Sequence, residues 1–193
     1  MDTLKIWRSA GMQKILSDDM FFESKRTFLY FAYGSNLWLE QMEKRCFAMP
    51  FKVAKLYDHE FHYRRYYASV KESKGKNVWG ALYVMDRFDI TTMNSYEGFP
   101  HMYYKKLITV FDEYGRSYEA FTYVADEVYS ETGTFKGYFD KLKSGYIDWG
   151  LPIRELIDNT PKIIENKPIP KYNRIDLSPV LPKARKSWRV YHL

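Results

Sequence analysis

The chain has 193 residues, 46% of them hydrophobic and 28% charged, a globular balance that favours one domain with extensions. Its only cysteine, Cys46, excludes an intrachain disulfide, and no stretch approaches the roughly 18 apolar residues of a membrane-spanning helix. Aromatic residues reach 19%, enough to fill a core and still line a cleft with phenols.

The opening MDTLKIWRSAGMQKILSDDMFFESKR is broken by charges before an apolar run of about 7–15 residues can form. It therefore lacks the core of a secretory signal, and a cytoplasmic location is expected. Residues 28–38, FLYFAYGSNLW, read as a buried aromatic strand that stops at Tyr33-Gly34-Ser35-Asn36. A short helix from Leu37 to Cys46 follows, with Ser35 or Asn36 placed to cap it. Gly34 lets the backbone approach a ligand, and the amides after it sit at a helix start, where the dipole favours an anion. A plain strand–helix corner with a polar cap has the same pattern.

Residues 51–57 and 60–70 read as strands, the second with alternating Phe61, Tyr63 and Arg65. The HEFH run at 59–62 lacks the zinc-protease spacing, and its two histidines would point to opposite faces of a strand, so no metal site is expected. KESKGKN (71–77) reads as a charged loop and VWGALYV (78–84) as a buried strand. Asp86 or Asp89 can cap a helix that reaches Tyr96-Glu97 and ends at Gly98. A carboxylate there faces the negative end of the dipole, and Tyr96, Phe99, Tyr103 and Tyr104 would withdraw it from water. Both effects raise its pKa toward the range of a general base. The alternative is an exposed surface glutamate.

Strands at 103–111 and 117–124 flank the hairpin turn Asp112-Glu113-Tyr114-Gly115. Phe135, Tyr138, Phe139, Leu142 and Tyr146 fall at helical spacing, Gly150 ends that helix, and Pro152 opens another reaching about Asp158. Many strands with few, short helices predict an α+β domain on an antiparallel or mixed sheet that can close into a barrel. The surplus of six positive charges lies wholly within residues 161–193, along with five of the eight prolines. Such a segment is extended rather than helical. Its apolar residues (Ile163, Ile164, Val180, Leu181, Trp188 and Tyr191) favour wrapping over the body, while its charge suits an acidic partner, a membrane surface or nucleic acid. No RNA- or DNA-binding motif supports the last.

FLYFAYGSNL (28–37), Met42 with Arg45, VWGALY (78–83), Glu97-Gly98, Tyr104 seven residues beyond Glu97, Tyr123, and Gly150-Leu151-Pro152 occur here in one order. Together they resemble the γ-glutamylcyclotransferase family over about residues 28–158. The resemblance implies a small mixed β-barrel flanked by short helices and no cofactor. It divides the chain into an N-terminal extension (1–27), a catalytic domain (28–160) and a basic Pro-rich tail (161–193). It also implies an intramolecular aminolysis, in which the α-amine of a γ-glutamyl group attacks its own γ-carbonyl to give 5-oxoproline and a freed amine or amino acid. The substrate would be a small γ-glutamyl compound or a γ-glutamyl-modified amine or protein. By position, Glu97 would move the protons. Tyr30, Phe31, Ala32, Tyr33, Gly34, Ser35 and Asn36 would hold the γ-glutamyl group, with Tyr104, Tyr123 and Tyr138 lining the pocket. Tyr138 also fits a plain core position. Asn94 stands where the family often has Asp, and Pro100-His101-Met102-Tyr103 is bulkier than usual, which leaves the leaving group open. The rival reading is a non-catalytic binding module on the same fold whose tail contacts a partner.

Overall fold

A computed structural model describes residues 26–165. The extension before Arg26 and nearly all of the basic tail, with the expectations attached to them, lie outside the described residues. Strand β1 (Thr27–Ala32) leads into a 3-10 turn (Ser35–Leu37) and helix α1 (Leu39–Arg45). A long hairpin, β2 (Met49–Arg64) and β3 (Tyr67–Asp86), precedes helix α2 (Arg87–Glu97). Then come β4 (Tyr103–Phe111), β5 (Ser117–Ala125), the short β6 (Glu131–Thr132) and β7 (Thr134–Phe135), helices α3 (Lys136–Asp148) and α4 (Ile153–Asp158), and β8 (Ile163–Ile164).

The sheet runs β3-β1-β5-β4-β2, and β2 pairs back onto β3, so five strands close into a barrel with β6 as an appendage. All pairings in the ring are antiparallel except β1 with β5, which makes the barrel mixed. Closure leaves no free edge in the ring and gives apolar side chains a common interior. Phe31 and Leu82 pair on one face of the sheet, Tyr30 and Phe121 on the other, and all four are buried. No helix of the described residues is long and apolar enough to cross a membrane.

The long hairpin departs from the sequence expectation twice. The expected strand 60–70 is divided by a two-residue turn at Arg65-Tyr66, both in the left-handed region (φ 47° and 74°). Neither residue signals such a turn; it is held from outside, because Tyr66 donates its N–H to Thr132 Oγ1 (2.7 Å) and accepts from Thr134 Oγ1 (2.8 Å). The expected loop 71–77 lies within β3. Between the pairs Tyr57–Asn77 and His59–Glu72 the register slips, and the slack is tied down where Gly75 (φ 79°) donates its N–H to Asp58 Oδ1 at 2.7 Å.

Helix α2 begins and ends as its sequence dictates. Asp86 and Asp89 form a reciprocal capping box, and Gly98 closes the helix in the left-handed conformation (φ 62°). Asp89 also accepts the Phe47 amide at 2.8 Å, tying the end of α1 to the start of α2.

Candidate active site

The corner after β1 is shaped by close approaches. An added Cβ at Gly80 would sit 2.3 Å from the Ala32 carbonyl, so β3 can cross the end of β1 only with glycine there. An added Cβ at Gly145 would lie 2.4 Å from Leu37 Cβ, so α3 packs directly on the 3-10 turn. The Leu37 carbonyl then accepts the Trp149 indole N–H at 2.9 Å. Gly34 itself has φ −106°, so a positive φ is not why it is glycine. A Cβ there would crowd Ala68 Cβ (3.2 Å) and the Tyr138 hydroxyl (3.3 Å), narrowing the space in front of the turn.

Neither Ser35 nor Asn36 caps α1; its N-cap is Trp38, with no side-chain cap bond. Both residues lie within the turn instead and are buried. The Asn36 side chain is the centre of a network. Its Nδ2 donates to Tyr30 Oη (2.8 Å) and Glu97 Oε1 (2.9 Å), and its Oδ1 accepts from Arg45 (2.6 Å) and Gln41 (3.3 Å). Gln41 also donates to the Ser35 carbonyl at 2.9 Å. Gln41 and Arg45 are four residues apart on α1, so one helix face supplies both donors.

Glu97 lies at the junction of two spaces. A recess of about 30 Å³ is bounded by Tyr30, Gly34, Asn36 and Tyr138, and a cleft of about 430 Å³ is walled by Arg45, Tyr67, Tyr96 and Lys141. Ser35, Glu97, Tyr103 and Tyr138 border both. The glutamate side chain is only 15% exposed. Burial pushes its pKa up, against the opposing pull of the Asn36 hydrogen bond and of the Arg45 guanidinium, 3.6 Å away. The aromatic surroundings act alike on the phenols: burial raises Tyr30, Tyr33 and Tyr103 well above the usual tyrosine value and Tyr138 to about 12. These hydroxyls stay protonated at neutral pH and remain donors.

Of the residues singled out from sequence, Tyr30, Tyr33, Gly34, Ser35, Asn36, Glu97, Tyr123 and Tyr138 come together around the recess. Tyr33 donates to the Tyr123 carbonyl (2.5 Å), and the Tyr123 hydroxyl donates to Asn94 (2.7 Å). Tyr138 is more than a core residue: its hydroxyl accepts the Ala68 amide (3.2 Å) and lies beside the Ser35 amide and hydroxyl. Phe31 and Ala32 are fully buried and do not border the recess; the Phe31 carbonyl is occupied by Thr122 Oγ1 at 2.8 Å.

Tyr104 requires a correction. Successive residues of a strand point to opposite faces, and β4 aims Tyr103, not Tyr104, at the site. The Tyr103 hydroxyl donates to the Ala68 carbonyl (2.9 Å) among Tyr138, Tyr33 and Glu97, whereas Tyr104 feels Glu127, Asp126 and Arg64. The segment from Glu97 to β4 thus brings the tyrosine six positions on to the site. Gln41 is the residue that sequence reading left without a role; Arg45 entered only through the resemblance, and Tyr103 only as one of the rings around Glu97. The i, i+4 spacing of Gln41 and Arg45 on one face was the available signal.

Chemically, the arrangement offers one carboxylate of raised pKa, several neutral hydroxyl donors and a guanidinium, all converging on a narrow blind end. The family model described as Gamma-glutamyl cyclotransferase, AIG2-like matches residues 30–142, more than half of the chain. Over 124 residues the chain is 30% identical to Gamma-glutamylcyclotransferase of Bos taurus, covering 55% of this chain and 66% of that protein. It is 33% identical over 84 residues to Gamma-glutamylcyclotransferase of Mus musculus, covering 37% of this chain and 45% of that one. The matches therefore span just under two thirds of the bovine protein and less than half of the murine one. A solved structure of a gamma-glutamyl cyclotransferase superposes with a TM-score of 0.66 at 25% identity, over 75% of this chain and 92% of that one. An uncharacterized protein from Homo sapiens gives 0.67 at 26% identity, over 76% and 94%.

Proposed function

Because the chain belongs to the gamma-glutamyl cyclotransferase, AIG2-like family, we propose that it catalyses the intramolecular aminolysis of a γ-glutamyl amide or peptide. The products are 5-oxoproline and a free amine or amino acid. The observation that carries this reading is Glu97, a carboxylate of raised pKa at the mouth of a recess, aimed by Asn36 and flanked by Arg45.

The reacting γ-carbonyl points into the recess and the rest of the substrate, leaving group included, occupies the wider cleft. The neutral α-amine attacks the γ-carbonyl carbon, forming the ring C–N bond. Glu97 takes the proton that the attacking nitrogen sheds and returns one to the departing nitrogen as the original amide C–N bond breaks, so the carboxylate is restored each cycle. The Tyr30 and Tyr138 hydroxyls each accept a bond from the protein and keep an O–H for the carbonyl oxygen, which gains negative charge as the amine adds. Ring closure supplies its own proximity, so a site with one proton carrier and good positioning suffices. A raised pKa suits this role, since a carboxyl titrating nearer neutrality both accepts and returns a proton readily.

The test is a screen of γ-glutamyl amino acids, γ-glutamyl amines and γ-glutamyl-ε-lysine for release of 5-oxoproline. Turnover of at least one class is expected. A folded protein that releases none of it from any class would leave the binding-module reading in place.

A further inference from the structure

The aminolysis proposed above leaves open which amine departs, and the charges of the wider cleft bear on that choice. Of the residues lining this cleft of about 430 Å³, only Arg45, Glu97 and Lys141 are charged. Two of the three are committed to each other. The Arg45 guanidinium lies 3.6 Å from Glu97, donates to Asn36 Oδ1 at 2.6 Å and covers the Tyr96 ring at 4.8 Å. Lys141 is exposed and makes no ion pair or hydrogen bond among the described residues. The carboxylate next to it in the chain, Asp140, is taken by Lys136 at 2.6 Å. Arg65 stands behind Met102, with its Nη1 3.5 Å from the sulfur and its guanidinium over the Tyr129 ring, and does not line the cleft. The uncompensated charge inside the cleft is one ammonium.

Helix α3 presents that ammonium to the space where the leaving group lies. Gly137, Tyr138 and Lys141 share one face of the helix, and all three line the cleft. Helical side chains lean toward the N-terminus, so Lys141 reaches back over the turn that holds Gly137. Gly137 leaves that turn bare: an added Cβ would meet only the Phe135 ring, at 3.8 Å. Beside it Tyr67 stands edge-on to Phe135 and Tyr138, with centroids 5.8 and 5.0 Å away, an aromatic wall that carries no charge. Tyr138, about 4.5 Å of helical rise from Lys141, borders the recess as well.

Resting on that aminolysis, we propose that Lys141 is a specificity-determining residue for the departing amine. It selects γ-glutamyl compounds whose leaving group carries a carboxylate over those that release a neutral or a cationic amine. In a γ-glutamyl amino acid that carboxylate stands two bonds from the nitrogen of the scissile amide. With the γ-carbonyl in the recess beside Tyr138, it comes within reach of the flexible four-carbon stem of Lys141. A carboxamide at the same place gains only a hydrogen bond to a neutral group, and an ammonium is repelled. The carboxylate takes no part in making or breaking bonds. Its contact with Lys141 is the same in the ground and transition states, so it acts on KM rather than on kcat.

The experiment compares kcat/KM for γ-glutamyl-leucine and γ-glutamyl-leucinamide, which differ by one charge at nearly constant shape, from 5-oxoproline release by the full chain at low salt. The ratio of the two values cancels the amount of folded enzyme, and its change between proteins cancels the compounds' intrinsic reactivity. Lys141→Glu turns an attraction into a repulsion, each worth up to about fivefold for an exposed pair, so the ratio should fall by about tenfold, mostly through KM. Lys141→Arg keeps the charge and should hold the ratio. Salt at about 1 M, where the screening length is roughly 3 Å, should erode the wild-type ratio toward that of Lys141→Glu. A ratio unchanged within about twofold by Lys141→Glu overturns the proposal. So does a ratio that collapses in Lys141→Arg as well, which assigns the effect to shape. If neither compound releases 5-oxoproline, the aminolysis reading is what fails for them, and calorimetric affinities for the same pair decide the role of Lys141. A preference for the carboxylate that Lys141→Glu removes upholds it, and equal affinities in the wild type overturn it.

Discussion

Replacing Glu97 by Gln keeps the side chain's size and its capacity to accept the Asn36 hydrogen bond, now 2.9 Å long, but removes the charge that sits 3.6 Å from Arg45. The proton carrier is lost while the recess keeps its shape. General-base contributions of 10²–10⁴-fold correspond to roughly 3–5 kcal/mol of barrier. The expected result is a fall of at least about a hundredfold in kcat for 5-oxoproline release, with substrate affinity by calorimetry little changed. The pH behaviour is a second readout. Burial raises the Glu97 pKa, so the wild-type rate should climb with pH through a value above that of a free glutamate, and the variant should lack that limb. Stability should move the opposite way. In the window between the unfolded and folded pKa values the unfolded chain binds fewer protons than the native state, so wild-type stability falls as pH rises through that window. The variant has no such penalty, and at neutral pH its melting temperature should equal or exceed the wild type's. A folded Glu97→Gln protein with near-wild-type kcat would refute the assignment of this residue as proton carrier.

Three further outcomes follow from the same geometry. Gly34→Val places methyl groups where a single Cβ already lies 3.2 Å from Ala68 and 3.3 Å from the Tyr138 hydroxyl, so KM should rise by about tenfold or more (about 1.4 kcal/mol) with little loss of melting temperature. Tyr103→Phe removes the hydroxyl bonded to Ala68 and should lower kcat/KM, while Tyr104→Phe should leave it within about twofold; parallel steady-state kinetics separate the two. Asn36→Asp sets a carboxylate against Glu97, and like charges disfavour ionisation, so the rising limb of the pH–rate profile should move to higher pH.

What sequence reading could reach was local. The aromatic run into Gly34, the capping box at Asp86 and Asp89, and the Gly98 cap that fixes Glu97 at a helix end all follow from short-range chemistry, and the structure has each of them. The barrel itself followed from the resemblance and from the count of strands. What escaped depended on distant partners. Arg65 and Tyr66 adopt left-handed backbone because Thr132 and Thr134 hold them there, and no local pattern announces it. Asp58 and Gly75 make one tied-down irregularity of what looks like a charged loop. Tyr103 and Tyr104 are indistinguishable until the path of the chain from Gly98 into β4 sets which of them faces inward. Asn36 looks like a cap, and only the approach of α1 and α2 turns it into the junction between Arg45 and Glu97.

The parallel contact between β1 and β5 also sets a timetable for folding. Tyr30 pairs with Phe121, and Tyr33 bonds to the Tyr123 carbonyl 90 residues away, so β1 leaves the ribosome long before its neighbours on either side exist. Contacts this distant in sequence slow folding, because the loop must close before anything is gained from it. Until then an aromatic strand, TFLYFA, waits without a partner and is open to association with other chains. The recess is assembled on that same strand, so no early intermediate possesses it. Substitutions that delay barrel closure will therefore show first as a lower yield of soluble protein, while the molecules that do close keep their full turnover.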